Sequence, residues 1–201
     1  MKILFQGDSI TDACRDRSDY HNLAGYALYT AEILGDGNEY IDLGISGDRS
    51  IDILNRYERD IKDIAPDVMT ILIGINDVWR RYDSNAYTSP EEYERNLRTI
   101  LSKVKGDLPE TKIIVIEPFL LPASDKRHWR RDLAEVIEAA RNVAVEYADG
   151  YVPMDGIFAK QRLSCPWQKL SEDGVHPAEE GHKLIAKYLA EEILLVSKKA
   201  K

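Results

Sequence analysis

Ser9 stands in the run Gly7-Asp8-Ser9-Ile10-Thr11, and Asp173-Gly174-Val175-His176-Pro177 sets a carboxylate and an imidazole three positions apart near the far end of the chain. A serine hydroxyl, a histidine to take its proton and an acid to orient that histidine are the parts needed for nucleophilic attack on an acyl carbon. An aspartate three residues ahead of a histidine can curl back to hold Nδ1–H, leaving Nε2 free to face the serine. Gly174 eases the curl, and Pro177 suits the first turn of a following helix. Each fragment also has a plain reading. Gly, Asp and Ser crowd ordinary strand-to-helix turns, and a single histidine can cap a helix. His182 falls inside the last helical stretch, His21 and His128 stand among charges, and none of these three shows a comparable acid nearby.

Two further clusters carry groups of use to such chemistry. Gly44-Ile45-Ser46-Gly47-Asp48 has two glycines that let backbone come close to a ligand, and the Gly44 N–H is the expected oxyanion donor. Ser46 is a rival nucleophile, but the sequence gives it no acid–base partner of its own. Gly74-Ile75-Asn76-Asp77-Val78-Trp79-Arg80 supplies an amide, Asn76, that can donate to a developing oxyanion. It reads equally as an Asn-Asp turn that caps a helix. Asp8 is expected to order its turn and to border the pocket. Tyr26, Trp79, Arg80 and the segment 119–131 are candidates for shaping that pocket, though a tryptophan packed beneath a loop is as good a reading.

The elements that must position these groups alternate along the chain. Short apolar runs at Lys2–Gln6, Tyr40–Leu43, Val68–Ile73, Ile113–Ile116 and Tyr151–Met154 read as buried strands. Helix-period stretches lie at Leu23–Leu34, Ile51–Ile64, Pro90–Lys105, Asp132–Tyr147 and Ala178–Leu195. Ser89 caps the third of these, with Pro90 at its first position and Glu91 and Glu92 suited to the positive end of the dipole. Pro66 marks where the second must stop. Leu184, Ile185, Tyr188, Leu189 and Ile193 give the last a core-facing stripe. Strands separated by helices imply a five-stranded parallel sheet with right-handed crossovers, an α/β/α sandwich of three layers. In such sheets ligands gather at the carboxyl ends of the strands, where all four clusters fall.

Composition narrows the partners. A chain of 201 residues with 44% hydrophobic side chains fits one domain over residues 1–201. A formal charge of −8 disfavours a nucleic-acid partner, and Lys198-Lys199-Ala200-Lys201 reads as a solvated helix end. No run is long enough to cross a membrane, and Ile3-Leu4-Phe5 is too short for the apolar part of a signal peptide, so cytoplasmic residence is expected. Cys14 and Cys165 show neither a disulfide framework nor metal-ligand spacing, and no cofactor or metal is expected.

Taken in order, the four clusters resemble the four blocks of the GDSL-type esterases of the SGNH hydrolase family, over nearly the whole chain. The resemblance implies a flavodoxin-like sandwich, Ser9, Gly44, Asn76 and His176 as the block residues, and Asp173 as the acid of the triad. Gly-Ile-Asn-Asp-Val-Trp-Arg-Arg-Tyr-Asp at 74–83, with Trp129-Arg130-Arg131 and the Gly25-Tyr26 pair, is similar to bacterial acetylxylan esterases of that family. That implies a small acylated substrate, an acetylated sugar, and the possibility of a homo-oligomer. The chain departs from the pattern at Asp42, where an asparagine is usual, and at Glu172, where an aromatic precedes the acid. Two other classes compete. An aspartate-based phosphohydrolase would want a second acid where Ile10 stands, and a non-catalytic carbohydrate or nucleotide binder would have no use for the Asp173–His176 pair. There is no Gly-x-Ser-x-Gly elbow of the α/β-hydrolase kind.

Overall fold

A computed structural model describes residues 1–198; Lys199 and Lys201 of the basic ending lie outside the described residues. Five strands, β1 (Lys2–Gly7), β2 (Glu39–Asp42), β3 (Val68–Leu72), β4 (Lys112–Ile116) and β5 (Gly150–Val152), form one parallel sheet in the order β2-β1-β3-β4-β5. The register pairs Phe5 with Asp42 on one side of β1 and Gly7 with Leu72 on the other. The two central strands are buried almost throughout, as continuous apolar runs covered on both faces should be. Helices α1 (Ser9–Asp12), α2 (Gly25–Leu34), α3 (Ser50–Asn55), α4 (Ile75–Asp83), α5 (Pro90–Asp107), α6 (Arg130–Tyr147), α7 (Met154–Gln161) and α8 (Glu179–Lys198) connect them. α2 packs on α8 over one face, while α3, α5 and α6 pack together over the other.

The chain steps from β1 to β2 on one side and then crosses back from β2 to β3 on the other side of β1. That reversal opens a crevice above the carboxyl ends of β1 and β3, the place where doubly wound sheets hold ligands. The core beneath it is apolar and closed. Phe5 meets the Tyr26 ring edge-on at 6.0 Å, and both are fully buried. Ser89 caps α5 as expected, accepting the Glu92 N–H at 3.2 Å.

Several boundaries differ from the sequence reading. The second helical stretch is not continuous: α3 ends at Asn55 and a π-helical turn follows over Glu58–Lys62. The helical path widens where Arg56 and Asp60 turn inward together, paired at 2.6 Å. The fifth strand ends at Val152 and Met154 begins α7, because Pro153 removes a ladder donor at that edge. The third cluster is itself a helix, α4, with Asn76 in its first turn. A 3₁₀ turn over Ser124–Trp129 precedes α6. Among the described residues no helix is long and apolar enough to cross a membrane.

Phe5→Ala, which empties the centre of β1 beneath the crevice, is expected to cost about 3–5 kcal/mol of stability in chemical denaturation. A loss below about 1 kcal/mol would show that this part of the core is not close-packed.

Candidate active site

The sheet delivers Ser9 to the crevice directly. β1 ends at Gly7, and Asp8 caps the single turn α1 by accepting the Ile10 N–H at 2.9 Å. Ser9 is the first residue of that turn, and its Oγ lies 3.0 Å from His176 Nε2 across 167 positions of sequence. His176 Nδ1 lies 3.2 Å from Asp173 Oδ2. Asp173 Oδ1 meanwhile accepts the backbone N–H groups of Val175 and His176 at 2.9 and 2.8 Å. The curl that allows this needs Gly174 at φ +92°, a region that disfavours a Cβ. Its ends are clamped: Ser171 Oγ donates to the His176 carbonyl at 2.7 Å and accepts the Gly174 N–H at 2.9 Å, while Leu121 N–H donates to the Gly174 carbonyl at 2.8 Å.

Charge follows from this geometry. Burial works against the Asp173 carboxylate, but bonds from the His176 ring and from the two backbone donors outweigh it and hold the group far below its ordinary range. The same bond to Asp173 raises His176 above its usual 6.5, against the opposing effect of burial. Lys126 Nζ stands 3.7 Å from Asp173 Oδ2, a cation beside the acid that the sequence did not single out.

The second cluster is arranged differently from expectation. The Gly44 N–H donates to Asp42 Oδ1 at 2.8 Å, so it is not available to an oxyanion. Gly44 is required for another reason: a Cβ there would come within 2.4 Å of the Asp12 backbone N. Within this cluster the glycine that lines the crevice with Ser9, Asn76 and His176 is Gly47, whose N–H donates to no backbone or side-chain oxygen among the described residues. Burial raises the Asp42 carboxyl to about 7, against the Gly44 N–H and the neighbouring Arg15. Ser46 Oγ donates to Asp12, which also takes Arg17, so the rival nucleophile is occupied by a carboxylate and has no imidazole.

Asn76 completes the crevice. Its Nδ2 donates to the Asp48 carbonyl at 3.0 Å, which leaves a second N–H and fixes the amide's direction. The next residue, Asp77, accepts the Ser50 N–H and Oγ–H at 3.0 and 2.7 Å, pinning α4 to the start of α3. Arg56 joins Asp48 at 2.9 Å and reaches the Gly7 carbonyl at 3.4 Å, so one guanidinium ties the second cluster to the end of β1.

Of the residues expected to shape the pocket, Trp79 and Arg80 line it. The Trp79 ring lies 5.8 Å from the His176 ring and 5.1 Å from Trp129. Tyr26 does not line it: the side chain is wholly buried and its hydroxyl pairs with Thr11 Oγ1 at 2.9 Å. Asp8 is likewise enclosed beneath the Ser9 turn and forms no wall. The segment 119–131 backs the aromatic wall through Trp129 and Lys126, and its Leu120, Arg127 and Arg130 line a separate cavity. The crevice, about 840 Å³ in volume, also takes in Tyr29, Glu172, Glu179 and His182, none of which the sequence reading placed there. His21 does have acids nearby, with Asp19 at 3.0 Å and Glu39 at 3.4 Å, but it lies outside the crevice. Among the described residues no three His, Cys, Asp or Glu side chains come together as a metal site requires.

Comparison with known proteins places this geometry among relatives. Residues 5–184 match the GDSL-like Lipase/Acylhydrolase family. An acetylxylan esterase of Geobacillus stearothermophilus is 31% identical, with 96% of this chain and 93% of that protein covered. A crystal structure of an acetylxylan esterase from the same organism superposes with a TM-score of 0.86 at 30% identity, covering 96% and 93% of the two chains. A crystal structure of a candidate GDSL-like lipase from Parabacteroides merdae gives a TM-score of 0.91 at 35% identity over 96% and 95%. The thioesterase 1/protease 1/lysophospholipase L1 of Escherichia coli is 27% identical over 76% of this chain and 66% of its own.

Asp8 carries a consequence for stability. Burial raises its carboxyl from 3.8 to about 7, so between those values the folded chain holds a proton that the unfolded chain releases. This contribution to stability is full below 3.8 and is lost as pH rises through about 7. Asp8→Asn, which keeps the acceptor for Ile10, should flatten the fall in stability across that window, measured by denaturation at a series of pH values. An unchanged slope would assign the fall to other groups.

Proposed function

Because the chain belongs to the GDSL-like lipase/acylhydrolase family, and so to the SGNH esterases, we propose that it is a serine esterase that removes short acyl groups, chiefly acetyl, from xylan-derived or other carbohydrates. The single observation that carries the reading is the unbroken relay from Ser9 Oγ through His176 to Asp173, at 3.0 and 3.2 Å. In the first step His176 Nε2 takes the Ser9 proton as Oγ attacks the ester carbonyl, and Asp173 fixes the imidazole's tautomer and steadies its charge. The carbonyl oxygen becomes an oxyanion met by the Ser9 and Gly47 backbone N–H groups and by the Asn76 amide. His176 returns the proton to the departing alcohol, leaving an acyl group on Ser9. Water, deprotonated by the same imidazole, then attacks the acyl-enzyme and releases the acid.

The relatives support both the residues and the substrate. Catalytic mutants of the Geobacillus esterase replace a serine, an aspartate and a histidine by alanine, the last two three positions apart as Asp173 and His176 are. Its substrate is given as acetyl-xylooligosaccharide. In that protein a tryptophan directly precedes the aspartate, where this chain has Glu172, so the walls around the alcohol differ. The Escherichia coli relative, with its thioesterase and lysophospholipase activities, favours a second reading as a general short-chain or lipid esterase. Chain-length preference separates the two.

Two outcomes test this reading. Ser9→Ala should remove nearly all turnover of acetyl esters with the fold intact. On the wild-type protein, acetyl esters should be cleaved faster than butyryl and octanoyl esters, and acetylated xylo-oligosaccharides should release acetate; a preference for octanoyl would overturn the sugar-acetate assignment. The pH profile supplies an independent check. His176 must be neutral to act and is raised above 6.5, so kcat/KM should rise with pH to a plateau whose acid limb lies above that value. Asp173→Asn removes the bond that raises it, so the limb should move to lower pH while kcat/KM falls about 10⁴-fold.

A further inference from the structure

In the esterase reading the imidazole that takes the serine proton has to return it to the leaving alcohol, so that alcohol must lie beside the His176 ring, in the crevice that the ring lines. The same crevice is lined by Pro177, Glu179 and His182 at the start of α8 and by Tyr29 of the facing α2. His182 is held in one tautomer. Its Nδ1 accepts the Tyr26 backbone N–H at 3.0 Å, so in the neutral ring the proton resides on Nε2. Burial, with the positive charge of His176 nearby, lowers its pKa to about 4, and the ring therefore stays neutral wherever the esterase works. Nε2 finds no acceptor among the described residues, yet it is not one of the sealed, unpartnered buried atoms. The ring lines the crevice and so brings to it an uncharged Nε2–H donor that is fixed by the bond at Nδ1.

Glu172 lines the same crevice, close enough to His176 to act on its charge, and its carboxylate forms no ion pair among the described residues. A fixed N–H donor and a carboxylate acceptor match a ligand that offers both ether or hydroxyl oxygens and hydroxyl protons. The carboxylate also opposes an anionic group in the same place. We propose that His182, with Glu172, forms the subsite for the leaving alcohol, and that this alcohol is a neutral, polyhydroxylated one such as a pentose unit. The inference rests on the esterase reading above and narrows its substrate: phosphorylated or otherwise anionic alcohols are disfavoured, and aryl alcohols leave the Nε2–H donor unused.

The test compares kcat/KM on a monoacetylated methyl xyloside with kcat/KM on 4-nitrophenyl acetate for the wild-type protein, His182→Ala and His182→Gln. In His182→Ala the xyloside-to-aryl ratio should fall about tenfold, the worth of one hydrogen bond, with the change expressed mainly in KM for the xyloside. His182→Gln offers an amide oxygen to Tyr26 N–H and an amide N–H to the crevice, and should recover a substantial part of the ratio. An equal fall on both esters in both variants would assign His182 to holding the start of α2 and overturn the subsite. So would an unchanged ratio, or a wild-type protein that cleaves the aryl ester and ignores acetates of neutral polyols. No turnover of either ester by the wild-type protein would remove the esterase reading itself, and the subsite with it.

Discussion

A serine hydroxyl is a weak nucleophile until an imidazole nitrogen stands within hydrogen-bonding distance of it, and here the two come from opposite ends of the chain. Everything else in the upper half of the molecule can be read as what that contact requires. The strand order must reverse between β1 and β3 so that a crevice exists. The final loop must fold back tightly enough for an aspartate to reach its own neighbour's ring, and α8 must dock on α2 to bring that loop over β1. Asp173 serves this geometry twice. One oxygen faces the ring and the other takes two backbone donors, so the carboxylate that tunes the histidine also shapes the turn carrying it.

The loops around the contact are held by carboxylates as well as by the apolar packing of residues such as Ile10 and Val175. Asp12 gathers Arg17 and Ser46, Asp42 takes the Gly44 N–H, Asp48 meets Arg56, and Asp77 takes both polar groups of Ser50. Charged oxygens in places that exclude water form shorter and stronger bonds than neutral partners would, which suits backbone that must be fixed to a fraction of an ångström. The cost appears in the raised pKa values of Asp8, Asp42 and Asp77, where burial is the largest influence on each. A site assembled this way trades some stability near neutral pH for definition of its loops.

What could be read from the sequence follows the range of the interactions involved. Ser9, Asn76, Asp173 and His176 each belong to a short motif at an element's end, so type and spacing were enough to bring them forward. The sheet was legible because buried parallel strands are continuous apolar runs. Gly44 and Gly47 could not be told apart, since the difference lies in which N–H the Asp42 carboxylate captures. Tyr26 and Trp79 are both aromatics beside motif residues, yet one is fixed under α1 by Thr11 and Phe5 while the other faces the histidine. His182 gave no signal because its partner, the Tyr26 N–H, lies 156 positions away on another helix. The break after Asn55 was hidden for a similar reason: Arg56 is drawn inward by Asp48, Asp60 and the Gly7 carbonyl, none of which leaves a mark on helical period.

The 167-residue separation between Ser9 and His176 has a consequence for how the protein comes into being. A ribosome delivers the hydroxyl 167 residues before the imidazole, so over that stretch of synthesis the serine stands without the partner it meets in the fold. The contact between them can form only once the loop ahead of α8 has been made and α8 has settled against α2. Copies lacking that segment hold a serine with no imidazole beside it, so in the proposed esterase they would have no activated nucleophile.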